Sequence, residues 1–474
     1  MSAIYGLPSR GHHFLMQLFI VAATETLQYI RMKRKKIFFC GLMATAALVL
    51  SPLYATKGNT WTITKTDNAP TEIYVDTVDV DTMDVVADDG GTGETDADDA
   101  ASDSLPWPQN MLARIDNIFK GTTIFNTSAV GMKIYDLTAD STLFELNERQ
   151  LLRPASTLKM IVAVTALDKL GSDYKLTTRV AYTGRIDSLA LVGNIYCKGG
   201  FDPTLANSDI SDIADSIAAL GIDTIKGDVC LDLTMKDNDR LGEGWCWDDD
   251  NPVLSPLVVG RKDEFGDRLT RRLRQKGIVL TGRCREDNMP GNAHTIYKKV
   301  TPLADVMHRQ LKRSDNLYSE AIFYQIASDG MIRSRATAKN GRQVVNRLIS
   351  KFGFKPSAYY IADGSGLSLY NYVSAELEVA FLRYAYRNKR IFETLYDCLP
   401  IAGVDGSLDE RMCRGAAHDN VRAKTGTVTG ISSLAGYCTA ANGHVLCFSI
   451  INSGIRYKSS GRNFQDKVCQ AMCK

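Results

Sequence analysis

Ser156 and Lys159 stand three residues apart in the run PASTLKM. On a helix, that spacing puts both side chains on one face. A hydroxyl is a poor nucleophile near neutral pH. An amine held in a desolvated or cation-rich site loses its proton more readily and can activate the hydroxyl as a base. The chemistry on offer is acyl transfer through a serine ester. The residues that follow, Met160 to Leu167, are almost all apolar. They predict a helix buried all round rather than one with a single apolar stripe. Pro154 suits the helix start, which sets Ser156 near the positive end of the helix dipole. A second pair at the same spacing, Ser172 and Lys175, follows Gly171 and precedes a polar stretch. It reads as a loop at a helix end.

Two further stretches lie downstream in order, Ser314-Asp315-Asn316 and Lys424-Thr425-Gly426. S-x-x-K, S-D-N and K-T-G together form the signature of class A β-lactamases and penicillin-binding proteins. More of the chain narrows the match: the run from Gly200 to Leu205, Gly244-Trp245-Cys246-Trp247 with Asp248 and Asp249 after it, Asp363-Gly364-Ser365-Gly366-Leu367-Ser368, and the run from Ala402 to Leu408. With these, the sequence resembles the D-alanyl-D-alanine carboxypeptidase/endopeptidase family, the class C low-molecular-mass penicillin-binding proteins. The resemblance runs from about residue 130 to about 452. Between Asp249 and Ser314 the chain is much shorter than typical members, which carry a further small domain there.

The resemblance implies an α+β fold of the penicillin-binding-protein and serine β-lactamase kind. That fold has an antiparallel sheet flanked by helices, a helical lobe, and here an inserted mixed α/β domain. It also implies roles. Ser156 attacks the carbonyl of the penultimate D-alanine, and Lys159 takes its proton. Ser314 passes a proton to the leaving nitrogen, and Asn316 orients Lys159. Lys424 supplies positive charge that keeps Lys159 neutral and attracts the substrate carboxylate. Thr425, Gly426 and Thr427 line the substrate, with the backbone N–H groups of Ser156 and Thr427 as the oxyanion hole. Asp249 binds the free amine of the stem peptide's diamino acid. The implied partners are peptidoglycan stem peptides, with β-lactams as inhibitors, and the implied activity is carboxypeptidase or endopeptidase. A serine β-lactamase and a non-catalytic cell-wall binding protein of the same fold remain the alternatives. No cofactor or metal is implied, and none of the six histidines falls in a zinc pattern.

The organisation of the chain agrees with work outside the cytoplasm. A basic run from Arg31 to Lys36 is followed by an apolar run from Ile37 to Leu50, then Leu53-Tyr54-Ala55. This reads as a secretory signal, with Met32 a natural start for it, and it is short for a membrane span. Contact with a membrane is expected only through that segment, if it stays uncleaved. Between Asp67 and Asp103 there are 13 acidic residues and no lysine or arginine. Such a stretch buries too little apolar surface to offset chain entropy and reads as a solvated tether. Residues 104–474 hold 48 basic and 40 acidic residues, a net of +8. That suits an anionic polymer such as peptidoglycan, and no nucleic-acid motif is present.

The expected layout is an N-terminal extension and signal over 1–55, an acidic linker over 56–107, a catalytic domain from 108–176 and 295–474, and an insertion domain over 177–294. Hydrophobic periodicity predicts strands at 129–137, 142–146, near 180, 191–197, 228–233, 421–424, 432–439 and 444–451. It predicts helices at 111–120, 209–220, 303–311, 317–327, 338–351 and 375–388. Asn442-Gly443 signals a two-residue hairpin. Counting outward from it sets Cys438 opposite Cys447, close enough for a disulfide in an oxidising compartment.

Overall fold

The computed structural model describes residues 105–249, 251–328 and 335–474. The segment read as an export signal, nearly all of the stretch read as an acidic linker, and Asp250 lie outside the described residues.

The chain enters through helix α1 (Gln109–Lys120) and the hairpin of β1 (Ala129–Asp136) and β2 (Ser141–Leu146). A single turn, Ala155–Thr157, leads into α2 (Leu158–Leu170). The next segment holds β3 (Lys175–Tyr182), β4 (Arg185–Asp187), β5 (Ala190–Val192), β6 (Ile195–Lys198), α3 (Asn207–Ala218), β7 (Thr224–Ile225) and β8 (Val229–Asp232). It continues through α4 (Phe265–Gln275), β9 (Val279–Leu280), β10 (Cys284–Glu286) and β11 (His294–Pro302). Five helices follow: α5 (Leu303–Lys312), α6 (Asn316–Ser328), α7 (Ala338–Lys351), α8 (Ala375–Arg387) and α9 (Lys389–Cys398). Strands β12 (Arg422–Val428), β13 (Ile431–Thr439) and β14 (Val445–Ser453) and helix α10 (Lys458–Cys473) close the chain.

Strands from both ends of the chain build the main sheet, in the order β12-β13-β14-β1-β2 with every neighbouring pair antiparallel. Strand β1 pairs with β14 from Ala129↔Ser453 to Asp136↔Leu446. Both faces of these central strands are buried, because alternate side chains feed different cores. Met132, Ile134, Phe448 and Ile450 join α1 and α10 on one face. Cys447 and Ile451 join α2, α5, α6, α8 and α9 on the other. Every residue of α2 from Leu158 to Leu167 is buried, as its unbroken apolar run requires. The middle segment makes two smaller sheets, β10-β8-β6-β3-β11 and β4-β5-β7-β9, packed with α3 and α4 around a third core. Among the described residues no helix is long and apolar enough to cross a membrane.

Four expectations change. The strand expected at 191–197 is two strands in different sheets, split at Gly193-Asn194. The Asn194 side chain there accepts a hydrogen bond from the Asp228 backbone at 2.8 Å. Helices α4, α9 and α10 were not expected. In α4 the buried side chains Phe265, Leu269 and Leu273 recur every fourth residue among charges, a clear amphipathic period in a stretch of low hydropathy that the sequence reading passed over. The strand expected to end at Lys424 runs on to Val428, so K-T-G sits inside β12.

The fourth change is the hairpin. Ala440 N–H donates to the His444 carbonyl, Gly443 takes φ +85°, and the loop has three residues rather than two. The register moves by one, so Cys438 faces Leu446 and Cys447 faces Tyr437. A one-residue slip sends side chains to opposite faces. Cys438 lies in the core beside α10 and Cys447 in the core beside α2. The expected bridge between them is therefore ruled out.

Candidate active site

Ser156 occupies the turn that opens α2, after Ala155 at φ +50°. Glycine backbones hold this turn on two sides. A Cβ on Gly366 would lie 1.9 Å from the Ala155 carbonyl oxygen, and one on Gly426 would lie 2.1 Å from Ser433 Oγ and 2.7 Å from the Pro154 carbonyl oxygen. No side chain fits either approach.

Lys159, one helical turn on, is fully buried. Its Nζ lies 2.8 Å from Ser156 Oγ, 2.8 Å from Asn316 Oδ1 and 2.6 Å from the Ser365 carbonyl oxygen. A neutral amine has two N–H bonds and one lone pair. The amide oxygen of Asn316 and the carbonyl of Ser365 accept the two protons. The lone pair is left facing Ser156 Oγ, the direction from which a serine proton would come. Burial lowers the Lys159 pKa to about 8, while the carboxylates of Asp363, Glu320 and Asp315 push it back up. Burial, then, and not the neighbouring Lys424, leads in making this amine a base.

Asn316 is the first residue of α6, and Ser314 precedes it at φ +57°. A non-glycine residue in this region is strained unless its surroundings over-determine it. Asp315 does so here: its carboxylate accepts from Arg261 at 2.9 Å, Arg309 at 3.0 Å and the Leu317 N–H at 3.1 Å. Lys424 Nζ, also fully buried, donates to Ser314 Oγ at 2.8 Å and to the Thr425 carbonyl at 2.7 Å. Burial lowers its pKa well below the usual value, with Lys159 adding to the effect. Thr425 Oγ1 shares a hydrogen bond with Ser407 Oγ at 2.7 Å. Gly426 and Thr427 pair with Ser433 and Ser432 across the ladder. The three motifs meet at one place, a serine hydroxyl against one buried amine and a second serine bonded to a second buried amine.

Asp249 is placed differently from the rest. Its Oδ2 accepts from the Cys246 N–H at 3.0 Å, so the carboxylate caps its own turn. The residue of this loop that reaches inward is Trp245, whose indole N–H donates to Asp363 Oδ2 at 2.8 Å. Asp363 is the group that sequence reasoning missed. It is buried and also accepts from the Gly366 N–H at 2.9 Å, the Ser368 N–H at 2.7 Å and the Asn371 side chain at 2.7 Å. It thereby organises the loop that presents the Ser365 carbonyl to Lys159. Glu320 fixes the same loop through the Gly364 N–H at 3.0 Å, and burial, foremost, pushes its pKa up to about 8. The dense D-G-S-G-L-S run was the available signal for this loop.

An antiparallel sheet with a helical lobe against it, and a Ser/Lys pair heading a buried helix, define the class of penicillin-binding proteins and serine β-lactamases. The model of the D-Ala-D-Ala carboxypeptidase 3 (S13) family matches residues 111–261 and 254–473. The chain belongs to that family and is an enzyme of the serine D-Ala-D-Ala carboxypeptidase type. It is 24% identical over 406 residues to the D-alanyl-D-alanine carboxypeptidase DacB of Haemophilus influenzae, across 68% of this chain and 84% of that one. It is 25% identical over 421 residues to the D-alanyl-D-alanine carboxypeptidase of Actinomadura sp. strain R39, across 68% and 77%. The crystal structure of penicillin binding protein 4 from Haemophilus influenzae shares the fold, with a TM-score of 0.68 at 21% identity over 75% of this chain and 97% of that one.

Proposed function

We propose that this chain is an exported serine peptidase that trims or cleaves peptidoglycan stem peptides through an ester on Ser156, and that penicillin acylates the same residue. The observation that carries the reading is the 2.8 Å contact between Lys159 Nζ and Ser156 Oγ in a site where burial favours the neutral amine. Lys159 takes the serine proton as Oγ attacks the carbonyl carbon of the penultimate D-alanine. The backbone N–H groups of Ser156 and Thr427 receive the oxyanion. Ser314, bonded to Lys424, gives its proton to the departing nitrogen and takes up the one Lys159 holds, which leaves Lys159 neutral, and the terminal carboxylate lies against Lys424 and Thr425. Water then releases the acyl group, with Lys159 again as base. Residues 108–176 and 295–474 form the catalytic domain and 177–294 the insertion domain. Antiparallel pairing of β3 with β11, from Lys175↔Pro302 to Tyr182↔His294, supports an inserted unit here and argues for extending it through Pro302, since β11 belongs to its sheet. The chain enters and leaves the inserted unit along neighbouring strands.

Fluorescent penicillin labelling tests the assignment. Ser156→Ala is expected to abolish both labelling and release of D-alanine from purified muropeptides, with the fold retained. Ser172→Ala is expected to change neither. Covalent label on the Ser156→Ala variant would remove Ser156 from the mechanism.

A further inference from the structure

Thr157 lies between Ser156 and Lys159, and its hydroxyl has one proton, with the Ser433 hydroxyl at 3.4 Å and two closer acceptors in reach. The Pro154 carbonyl is at 2.8 Å and Glu378 Oε1 at 2.6 Å. Ser449 Oγ donates to Glu378 Oε2 at 2.7 Å, and Ser433 Oγ donates to the same Pro154 carbonyl at 2.5 Å. Glu378 is 1% exposed, and among the described residues it forms no ion pair. The charged groups of the elements around α8 are engaged elsewhere. On β1, Lys133 pairs with Glu145 and Glu376, and Asp136 with His444. Lys159 on α2 faces the cleft. On α9, Glu393 pairs with Lys389. Tyr437 on β13 and Cys447 on β14 are held protonated by burial.

We propose that Glu378 is a positioning residue for the nucleophile turn, which its neutral carboxyl braces by completing a hydroxyl chain through Thr157 to the Pro154 carbonyl. The proposal rests on the reading of Ser156 as nucleophile. When Glu378 carries its proton, its O–H donates to Thr157 Oγ1, and the Thr157 proton goes to Pro154. That carbonyl then accepts from Thr157 and Ser433 together, which fills its two lone pairs. The turn holding Ala155 at positive φ is tied from both sides. When Glu378 ionises, the Thr157 proton turns to the carboxylate, since a charged acceptor makes the stronger bond. Pro154 keeps Ser433 alone. A buried negative charge also sits against Thr157, next to Ser156, whose N–H has to stabilise an oxyanion. Both effects slow acylation.

The two titrations work in opposite directions. Burial, its leading cause, pushes the Glu378 pKa up to about 7, with Thr157 and Ser449 pulling it down. Neutral Lys159 grows with pH through about 8. Acylation by a fluorescent penicillin, followed from about pH 5 to about pH 9.5, is therefore expected to rise with Lys159 in the unaltered chain but to fall progressively behind Glu378→Gln as pH passes through about 7. In Glu378→Gln the amide N–H replaces the carboxyl proton toward Thr157, and the carbonyl still accepts from Ser449. That variant is expected to show the Lys159 rise alone, so the ratio of its rate to that of the unaltered chain grows with pH. Glu378→Ala leaves Thr157 and Ser449 without this partner and cannot ionise, so its rate is expected to stay a constant fraction of the Glu378→Gln rate at every pH. Superimposable profiles for the unaltered chain and Glu378→Gln would overturn the proposal even if the alanine variant does not fold. Label on Ser156→Ala would instead sink the nucleophile reading, and this inference with it.

Discussion

Gly426 has no side chain, and β12 has no room for one at that point. A Cβ would sit 2.1 Å from Ser433 Oγ, 2.7 Å from the Pro154 carbonyl and 3.0 Å from the Ser156 nitrogen. Two of those three atoms are backbone of the turn that carries the nucleophile, so relief requires the turn or the strand to move. A displacement of about 1 Å in an acyl-transfer site costs on the order of a hundredfold in rate. Gly426→Ala is accordingly expected to lower the penicillin acylation rate by that order while its circular dichroism stays that of the unaltered chain. A variant acylated at the unaltered rate would show that the turn tolerates the shift. At this scale the motif residues were legible because the chemistry restricts residue type as well as spacing. Asp363 and Glu378 were not, because a buried carboxylate holding hydroxyls or backbone N–H groups can stand almost anywhere in sequence. Only the fold brings Glu378 to Thr157, which is 221 residues away.

Helices and strands differed in how much of them showed in the sequence. Buried α2 and α6 and the long strands β1, β13 and β14 declared themselves by stretches rich in apolar residues. The charged helix α4 and the three-residue loop of the last hairpin did not, since a single residue of register decides the latter and Asn-Gly fits both lengths. The loop between β8 and α4 also depends on its context. It docks through Trp245 on Asp363 and through the Leu369 N–H on the Gly244 carbonyl. Asp249 belongs to this docked loop, with one oxygen used by the Cys246 N–H. If Asp249 also receives the side-chain amine of a stem peptide, Asp249→Ala is expected to lower kcat/KM on peptides bearing that amine. The loss would be about 1.5–3 kcal/mol of transition-state binding. Acylation by benzylpenicillin, which lacks the amine, would stay nearly unchanged. Equal losses on both would mean that the carboxylate serves only its turn, and the assignment would be withdrawn.

Burying charge for catalysis makes the stability of the whole molecule depend on pH. Glu378 ionises near 7 in the folded chain, while its ordinary value is 4.5. Below about 4.5 both folded and unfolded chains carry the proton, and the contribution of this group to stability is fully present. As pH rises, the unfolded chain ionises first and binds fewer protons, so stability falls through the window from about 4.5 to about 7 and then levels off. The shift corresponds to roughly 3 kcal/mol lost by neutral pH. Glu320, raised to about 8 chiefly by burial, acts in the same direction over a wider window. Lys159 acts the other way. Its folded value is near 8 against an ordinary 10.5, so its contribution is present above the latter and lost as pH falls through the former. Because Glu320 covers the same window in the same direction, the total pH dependence does not isolate Glu378, but a difference does. The urea midpoint of the unaltered chain and of Glu378→Gln is to be compared at about pH 5 and about pH 8. The glutamine side chain keeps both hydroxyl contacts and cannot ionise. Its advantage over glutamate is expected to grow by up to roughly 3 kcal/mol between those two pH values. A gap between the two proteins that stays constant with pH would mean that Glu378 is ionised across the whole range, and the neutral brace on the nucleophile turn would fall with it.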